Sequence, residues 1–209
     1  EFVLVTDRVR ANEPGDYSFR AVWQTIGETT LDGARLSVEQ AGQHATIAMT
    51  PDTHCILNED EYTGKNWASY PHIEEPLVKS MQGIIDAELD AGEQVVLFTV
   101  MHASGEEPAD LQVRRLTGES IAITGLDEPV IVSVQGDNEQ AAIPGAVSTN
   151  AQIMALTPAR LYAIGASWVN AGGELYDLGN EGDIEADLTT GEARIYSPAV
   201  NTIGTRQYA

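Results

Sequence analysis

The 209-residue chain holds one cysteine, two lysines and three phenylalanines. It has no apolar run approaching the ~20 residues that a membrane-spanning helix needs. The lone Cys55 excludes an intrachain disulfide, and beside Ile56 and Leu57 it reads as a small core residue. Bases are scarce: 11 Lys and Arg face 32 Asp and Glu, a formal net charge of −21. Such a field repels nucleic-acid phosphates and anionic membranes and keeps the chain soluble. Asn-x-Ser/Thr does not occur. Neither does a Gly-x-Ser-x-Gly elbow, a phosphate loop or a dinucleotide glycine fingerprint. His44, His54, His72 and His102 contain no His-x-His or His-x-x-x-His spacing, so no zinc ligand set is legible. Helix signals are nearly absent; residues 74–81 have room for one turn, and Pro76 argues against more. No signal peptide is visible and the chain starts at Glu1, which reads as a processed product or an excised fragment.

What is present is a rhythm of short alternating segments cut by turn residues. Tyr17, Phe19, Ala21 and Trp23 share one face of a strand, with Ser18, Arg20 and Gln24 on the other. The run from Gln94 to Met101 is continuously apolar through Val95, Val96, Leu97 and Phe98, the pattern of a strand buried on both faces. Turn signals such as Asp32-Gly33, Gly42, Gly92, Gly118, Gly136-Asp137-Asn138 and Gly191 separate these segments. Counted this way, the chain predicts an all-β fold: a two-sheet antiparallel β-sandwich of roughly fourteen short strands. Residues 2–10 are expected to pair with 17–25 across the Pro14-Gly15 turn. Segment 31–40 reads as one strand, and 174–178 and 183–187 as two. Residues 1–209 read as a single domain, with a polar loop between halves at 136–150.

Residues 50–80 interrupt the rhythm with Pro51, Pro71 and Pro76, a length that often marks a binding loop. Within it, Trp67 and Tyr70 offer ring faces for sugar C–H surfaces or a protein partner. Lys65, Asn66 and His72 offer polar contacts beside them. The same aromatics could instead fold back and plug one end of the sandwich. Asp177, Asn180 and Asp183 place oxygen ligands at short spacing between glycines, a candidate calcium site. A plain acidic hairpin turn uses the same residues.

The order of segments resembles the C-terminal β-sandwich of heparinase II/III-like polysaccharide lyases. The resemblance rests on Phe2-Val3-Leu4-Val5-Thr6-Asp7-Arg8-Val9, on Asp16 to Arg20 leading to Trp23-Gln24-Thr25, and on Leu31-Asp32-Gly33-Ala34-Arg35-Leu36. It also draws on the Gly92-Glu93 turn before the 94–101 strand and on Thr190-Gly191-Glu192 as a closing hairpin. It implies the sandwich fold and a carbohydrate setting. The helical toroid and the sheet region with histidine and aspartate groups that such lyases carry do not lie in these 209 residues, so no catalytic residue carries over. The expectation is a non-catalytic, secreted or cell-surface module associated with polysaccharide. The alternative is a structural subunit of a filament or surface layer that assembles with copies of itself by strand exchange or sheet-edge contacts.

Overall fold

Alternation at period two dominates the chain, and the computed structural model turns it into strands almost throughout. It describes residues 2–60, 78–136, 140–143, 146–171, 174–196 and 203–207. Among these there are eighteen strands and no helix, and every recorded pairing is antiparallel. The all-β antiparallel expectation is met, with more strands than the roughly fourteen read from sequence. The chain groups into two compact units, Glu1–Val113 and Arg114–Ala209, where the sequence reads as one domain.

Unit 1 is a sandwich of two sheets. One has the order β1-β8-β5-β4-β3 and the other β2-β7-β6. The first contains β1 (Val3–Arg10), β3 (Glu28–Asp32), β4 (Arg35–Gln40), β5 (Gln43–Met49) and β8 (Gln94–Gly105). The second contains β2 (Gly15–Thr25), β6 (His54–Asp60) and β7 (Val78–Leu89). Between them lies a core of Ala21, Leu36, Val38, Met49, Met81 and Leu97, with Phe19, Trp23 and Leu57 packed against it. Leu36 and Met81 are fully buried, each contributing roughly 1.5–3 kcal/mol over exposure. The alternation in β2 is realised: Tyr17, Phe19, Ala21 and Trp23 turn inward while Ser18, Arg20, Val22 and Gln24 face solvent. Val96 to Val100 are buried without a break, as a strand covered on both faces requires.

The expected pairing of the first two strands is corrected. β1 pairs with β8, from Val3↔Met101 to Arg10↔Gln94, and β2 pairs with β7, from Gly15↔Leu89 to Thr25↔Lys79. Both pairings keep one register. They form a single two-stranded ribbon that passes from one sheet to the other. At the crossing the Ala11 N–H donates to Glu93 O at 2.8 Å and the Gly92 N–H donates to Ala11 O at 2.8 Å. The link through Asn12, Glu13 and Pro14 therefore carries the chain between sheets instead of reversing it within one. Segment 31–40 divides at Gly33, whose φ of +58° suits the first central place of a II′ hairpin turn.

Unit 2 is one ten-stranded sheet running β18-β17-β16-β15-β14-β11-β10-β9, with β12 and β13 attached through β15. Its strands are β9 (Gln112–Thr117), β10 (Ser120–Thr124), β11 (Val130–Val134), β12 (Ala141–Ile143), β13 (Val147–Thr149), β14 (Ile153–Leu156), β15 (Arg160–Ala171), β16 (Glu174–Asp187), β17 (Glu192–Tyr196) and β18 (Ile203–Gln207). The sheet curls over its own core, in which Ala141, Ala151, Ala163, Ala166 and Ala193 sit among Met154, Leu161, Val169 and Ile184. Small side chains on the inner face let the strands close tightly around the larger ones. The 136–150 segment expected as a loop carries β12 and β13, and the two strands expected at 174–178 and 183–187 are one, β16.

Candidate functional site

Four backbone features of unit 1 meet around a cleft of about 670 Å³. They are the β3–β4 hairpin, the end of β5 with its turn into β6, the start of β6, and residues 110–113. The hairpin is fixed to β5 by the Met49 N–H, which donates to Ala34 O at 2.9 Å. The β5–β6 turn closes on itself, with Thr53 N–H to Thr50 O at 2.9 Å and the two buried hydroxyls 3.2 Å apart. Polar side chains ring the opening: Asp32, Arg35, Asp52, His54, Asp110 and Gln112.

Arg35 organises this rim. Its Nη1 donates to Asp110 Oδ1 at 2.5 Å and its Nη2 to Asp32 Oδ2 at 3.2 Å. The guanidinium fork thus holds two carboxylates whose positions are separated by most of unit 1 in sequence. Asp110 Oδ2 also accepts from Gln112 Nε2 at 3.3 Å. The carboxylates project, at 79% and 75% side-chain exposure, while Arg35 at 30% is recessed between them. Inside the cleft, Cys55 Sγ lies 3.9 Å from Met49 Sδ, and burial pushes the thiol up to about 11. It is a neutral packing group at ordinary pH and no activated nucleophile.

The residues read from sequence as a sugar-facing loop, Lys65, Asn66, Trp67, Tyr70 and His72, lie outside the described residues. The candidate calcium residues belong to β16, where they serve two irregularities. Between Trp168↔Asp177 and Ala166↔Gly182 the register shifts, with four β16 residues opposite one of β15. Asp177 Oδ1 accepts the Gly179 N–H there at 2.9 Å, and Gly179 has φ +76°. Asp183 Oδ1 accepts the N–H of Gly165, itself at φ +68°, at 2.9 Å across the neighbouring bulge. Asn180 is exposed in the same bulge. The geometry is that of a strand bulge and not of the hairpin turn that the sequence also allowed. Among the described residues no three His, Cys, Asp or Glu side chains gather as a metal-holding group.

Sequence reasoning missed Arg35 and Asp110 as partners. Nothing local announces them, since the pair is made only when residue 110 returns to the β3–β4 hairpin. Comparison with protein-family models finds none that matches, and comparison with curated proteins finds no similar sequence. No helix among the described residues is long and apolar enough to cross a membrane, which says nothing of β-barrels.

Proposed function

We propose that the chain is a non-catalytic, secreted or cell-surface β-sandwich module associated with polysaccharide, in keeping with its resemblance to the terminal sandwich of heparinase II/III-like lyases. The observation that carries this reading is the open cleft of unit 1, walled by the β3–β4 hairpin and the β5–β6 turn and rimmed by Asp, Arg, His and Gln side chains. Sugars present many hydroxyls that donate and accept at once, and a rim mixing carboxylates with a guanidinium matches both demands. A neutral Cys55 thiol and an Arg35 already engaged by two carboxylates suit holding a ligand better than attacking one. Affinity electrophoresis of the whole chain through gels containing soluble polysaccharides tests it. Retardation by at least one polymer is expected, and free migration through all of them would remove the reading.

A second reading, a self-assembling subunit, is favoured by β1. This strand is at the edge of its sheet among the described residues, and Val3 and Val9 are 57% and 38% exposed. An edge of this kind can pair with a neighbouring copy. Light scattering of the chain and of a variant lacking residues 1–10 tests it. Large particles that persist without β1 would exclude strand donation.

A further inference from the structure

We propose that the outer face of unit 2 carries a tyrosine platform for an extended, equatorially linked polysaccharide. The inference rests on the polysaccharide reading above and adds a second contact surface and a ligand shape to it. In the curled sheet Leu161, Ala163, Ile184, Ala193 and Ile195 turn toward the core. The residues alternating with them, Tyr162, Glu185, Arg194 and Tyr196, stand on the opposite face. Register gathers them: Glu185 is opposite both Tyr162 of β15 and Arg194 of β17, and Tyr196 lies two residues further on, opposite Asp183. Tyr162 is half-buried and Tyr196 is 39% exposed. Ile164, next to Tyr162 on the same face, is 50% exposed and extends the apolar surface.

Glu185 holds both rings in place. Its Oε2 accepts from Tyr196 Oη at 3.4 Å, and its Oε1 accepts from Arg160 Nη1 at 3.1 Å. The same Nη1 donates to Tyr162 Oη at 3.3 Å, so Tyr162 keeps its own hydroxyl proton to donate outward. Rings fixed in advance lose little conformational freedom when a ligand stacks on them.

Spacing and polarity set the ligand class. Tyr162 and Tyr196 are two strands and two residues apart, roughly 12 Å between Cα atoms at ordinary strand spacing and rise. One pyranose cannot cover both rings, whereas a chain can. The outer face of a curled sheet is convex, so an extended chain reaches both rings where a coiled one does not. A pyranose with equatorial hydroxyls presents C–H bonds on its faces and hydroxyls around its rim. The faces suit the tyrosine rings, and the rim meets donors on Arg160 and Arg194 and an acceptor on Glu185. A protein partner fits less well, because ionised groups interrupt the apolar surface where the core of a protein interface is depleted of charge.

Affinity electrophoresis of the whole chain compares hydroxyethyl-cellulose and xylan, whose backbones are extended, with laminarin, whose β-1,3 linkages coil. Retardation by an extended polymer is expected, with release by added cellohexaose or xylohexaose and none by glucose or xylose at equal mass. Tyr162→Ala and Tyr196→Ala should each weaken retention about tenfold, the effect of losing one aromatic anchor. Tyr162→Phe and Tyr196→Phe, which keep the rings, should stay within about threefold of the parent. Circular dichroism confirms the fold of all four variants. Retention unmoved by either alanine substitution would overturn the platform and leave the polysaccharide reading to the cleft of unit 1. Phenylalanine variants as weak as the alanine ones would overturn the stacking. Retention by laminarin alone, or release by a monosaccharide as readily as by its hexasaccharide, would overturn the extended-chain assignment. A dimer in sedimentation that either alanine substitution dissolves would overturn the glycan assignment and give the face to a second copy. Retention by no polymer would remove this inference and the polysaccharide reading together.

Discussion

Substituting Gly83 by alanine tests how closely the two sheets of unit 1 approach. Gly83 lies in the middle of β7, paired with Ala21 on β2 and Cys55 on β6. A Cβ built there collides with Met49 Sδ, lies 2.8 Å from Met49 Cε and 3.1 Å from Thr53 Cγ2. Met49 is 3% exposed, so its thioether has little open space to enter. Overpacking of this kind costs about 1–3 kcal/mol. Methionine's flexibility and the entropy that Gly→Ala removes from the unfolded chain, about 0.4–1 kcal/mol, lower the net to about 1–2 kcal/mol. Met49→Ala alone should cost about 2–5 kcal/mol through the cavity it leaves. In the double variant the added methyl enters that cavity, so the combined loss should fall short of the sum by about 1 kcal/mol or more. Gly27→Ala is the contrast. Its Cβ would meet the Glu39 carbonyl oxygen at 2.5 Å and Val38 Cγ1 at 2.8 Å, and a β4 backbone oxygen cannot swing aside. Urea unfolding followed by far-ultraviolet circular dichroism measures all four variants. A Gly83→Ala chain as stable as the parent, or a cycle additive within about 0.3–0.5 kcal/mol, would refute the claim that Met49 occupies the space over Gly83.

Three further outcomes follow from unit 2 and from the cleft. Asn150 Oδ1 accepts the N–H groups of Ser167 and Trp168 at 2.9 and 3.2 Å, and its Nδ2 donates to Ser167 Oγ at 2.9 Å. Asn150→Leu leaves two strand amides unpaired and should cost about 2–4 kcal/mol, read as a lowered melting temperature with faster amide exchange at 167 and 168. The Thr189 hydroxyl at 2.6 Å, then the Thr190 and Thr189 amides, pull the Asp187 carboxyl from 3.8 to about 2. The ionised form is thus favoured by folding. The β16–β17 turn should be fully formed above about pH 4 and loosen as pH falls through about 2, whereas Asp187→Asn should show no such step in amide exchange at 189 and 190. Cys55, with its thiol raised from 9.0 to about 11, should react with iodoacetamide at pH 8.5 roughly a hundredfold more slowly in the folded chain than in urea. Rates within threefold of each other would show that the thiol is not desolvated.

Local pattern made the strands legible, and distance in sequence hid their partners. The alternation of Tyr17, Phe19, Ala21 and Trp23 and the apolar run of β8 each carry their own burial pattern, so they read correctly. The Gly42 and Gly191 turns did too, and both adopt positive φ, whereas Gly33, also at positive φ, divides a segment that reads as one strand over 31–40. β6 was hidden because Pro51 and the acids after Asn58 resemble a loop, and its position at a sheet edge requires no strong alternation. The ribbon of β1 and β2 with β7 and β8 depends on pairs as distant as Val3 and Met101, which nothing in a ten-residue window encodes. The cleft failed to appear for the same reason: Arg35 and Asp110 are 75 residues apart. Asp177 and Asp183 were legible as a cluster of oxygens but not as servants of two glycines on facing strands, since the bulge that employs them exists only in the paired sheet.

The ribbon also bears on the choice between a glycan module and a polymer. For β1 to be donated it would have to leave β8 along eight pairs while β2 kept its eleven pairs with β7 in the same register. The break would fall at Ala11, which is 3% exposed and bonded to both Gly92 and Glu93. β1 also exposes Asp7, Arg8 and Arg10 along its second half, the kind of charged edge that discourages a second strand from adding there. Exposed Val3 and Val9 draw the other way, each offering less apolar area than a stable interface requires. With the anchoring at Ala11 and the charges on one side and two valines on the other, the intact ribbon is the more stable arrangement, and the chain should sediment as a 22.4 kDa monomer. Particles many times that mass, dissolved by deleting residues 1–10, would mean that a neighbouring copy outcompetes β1's own pairing with β8.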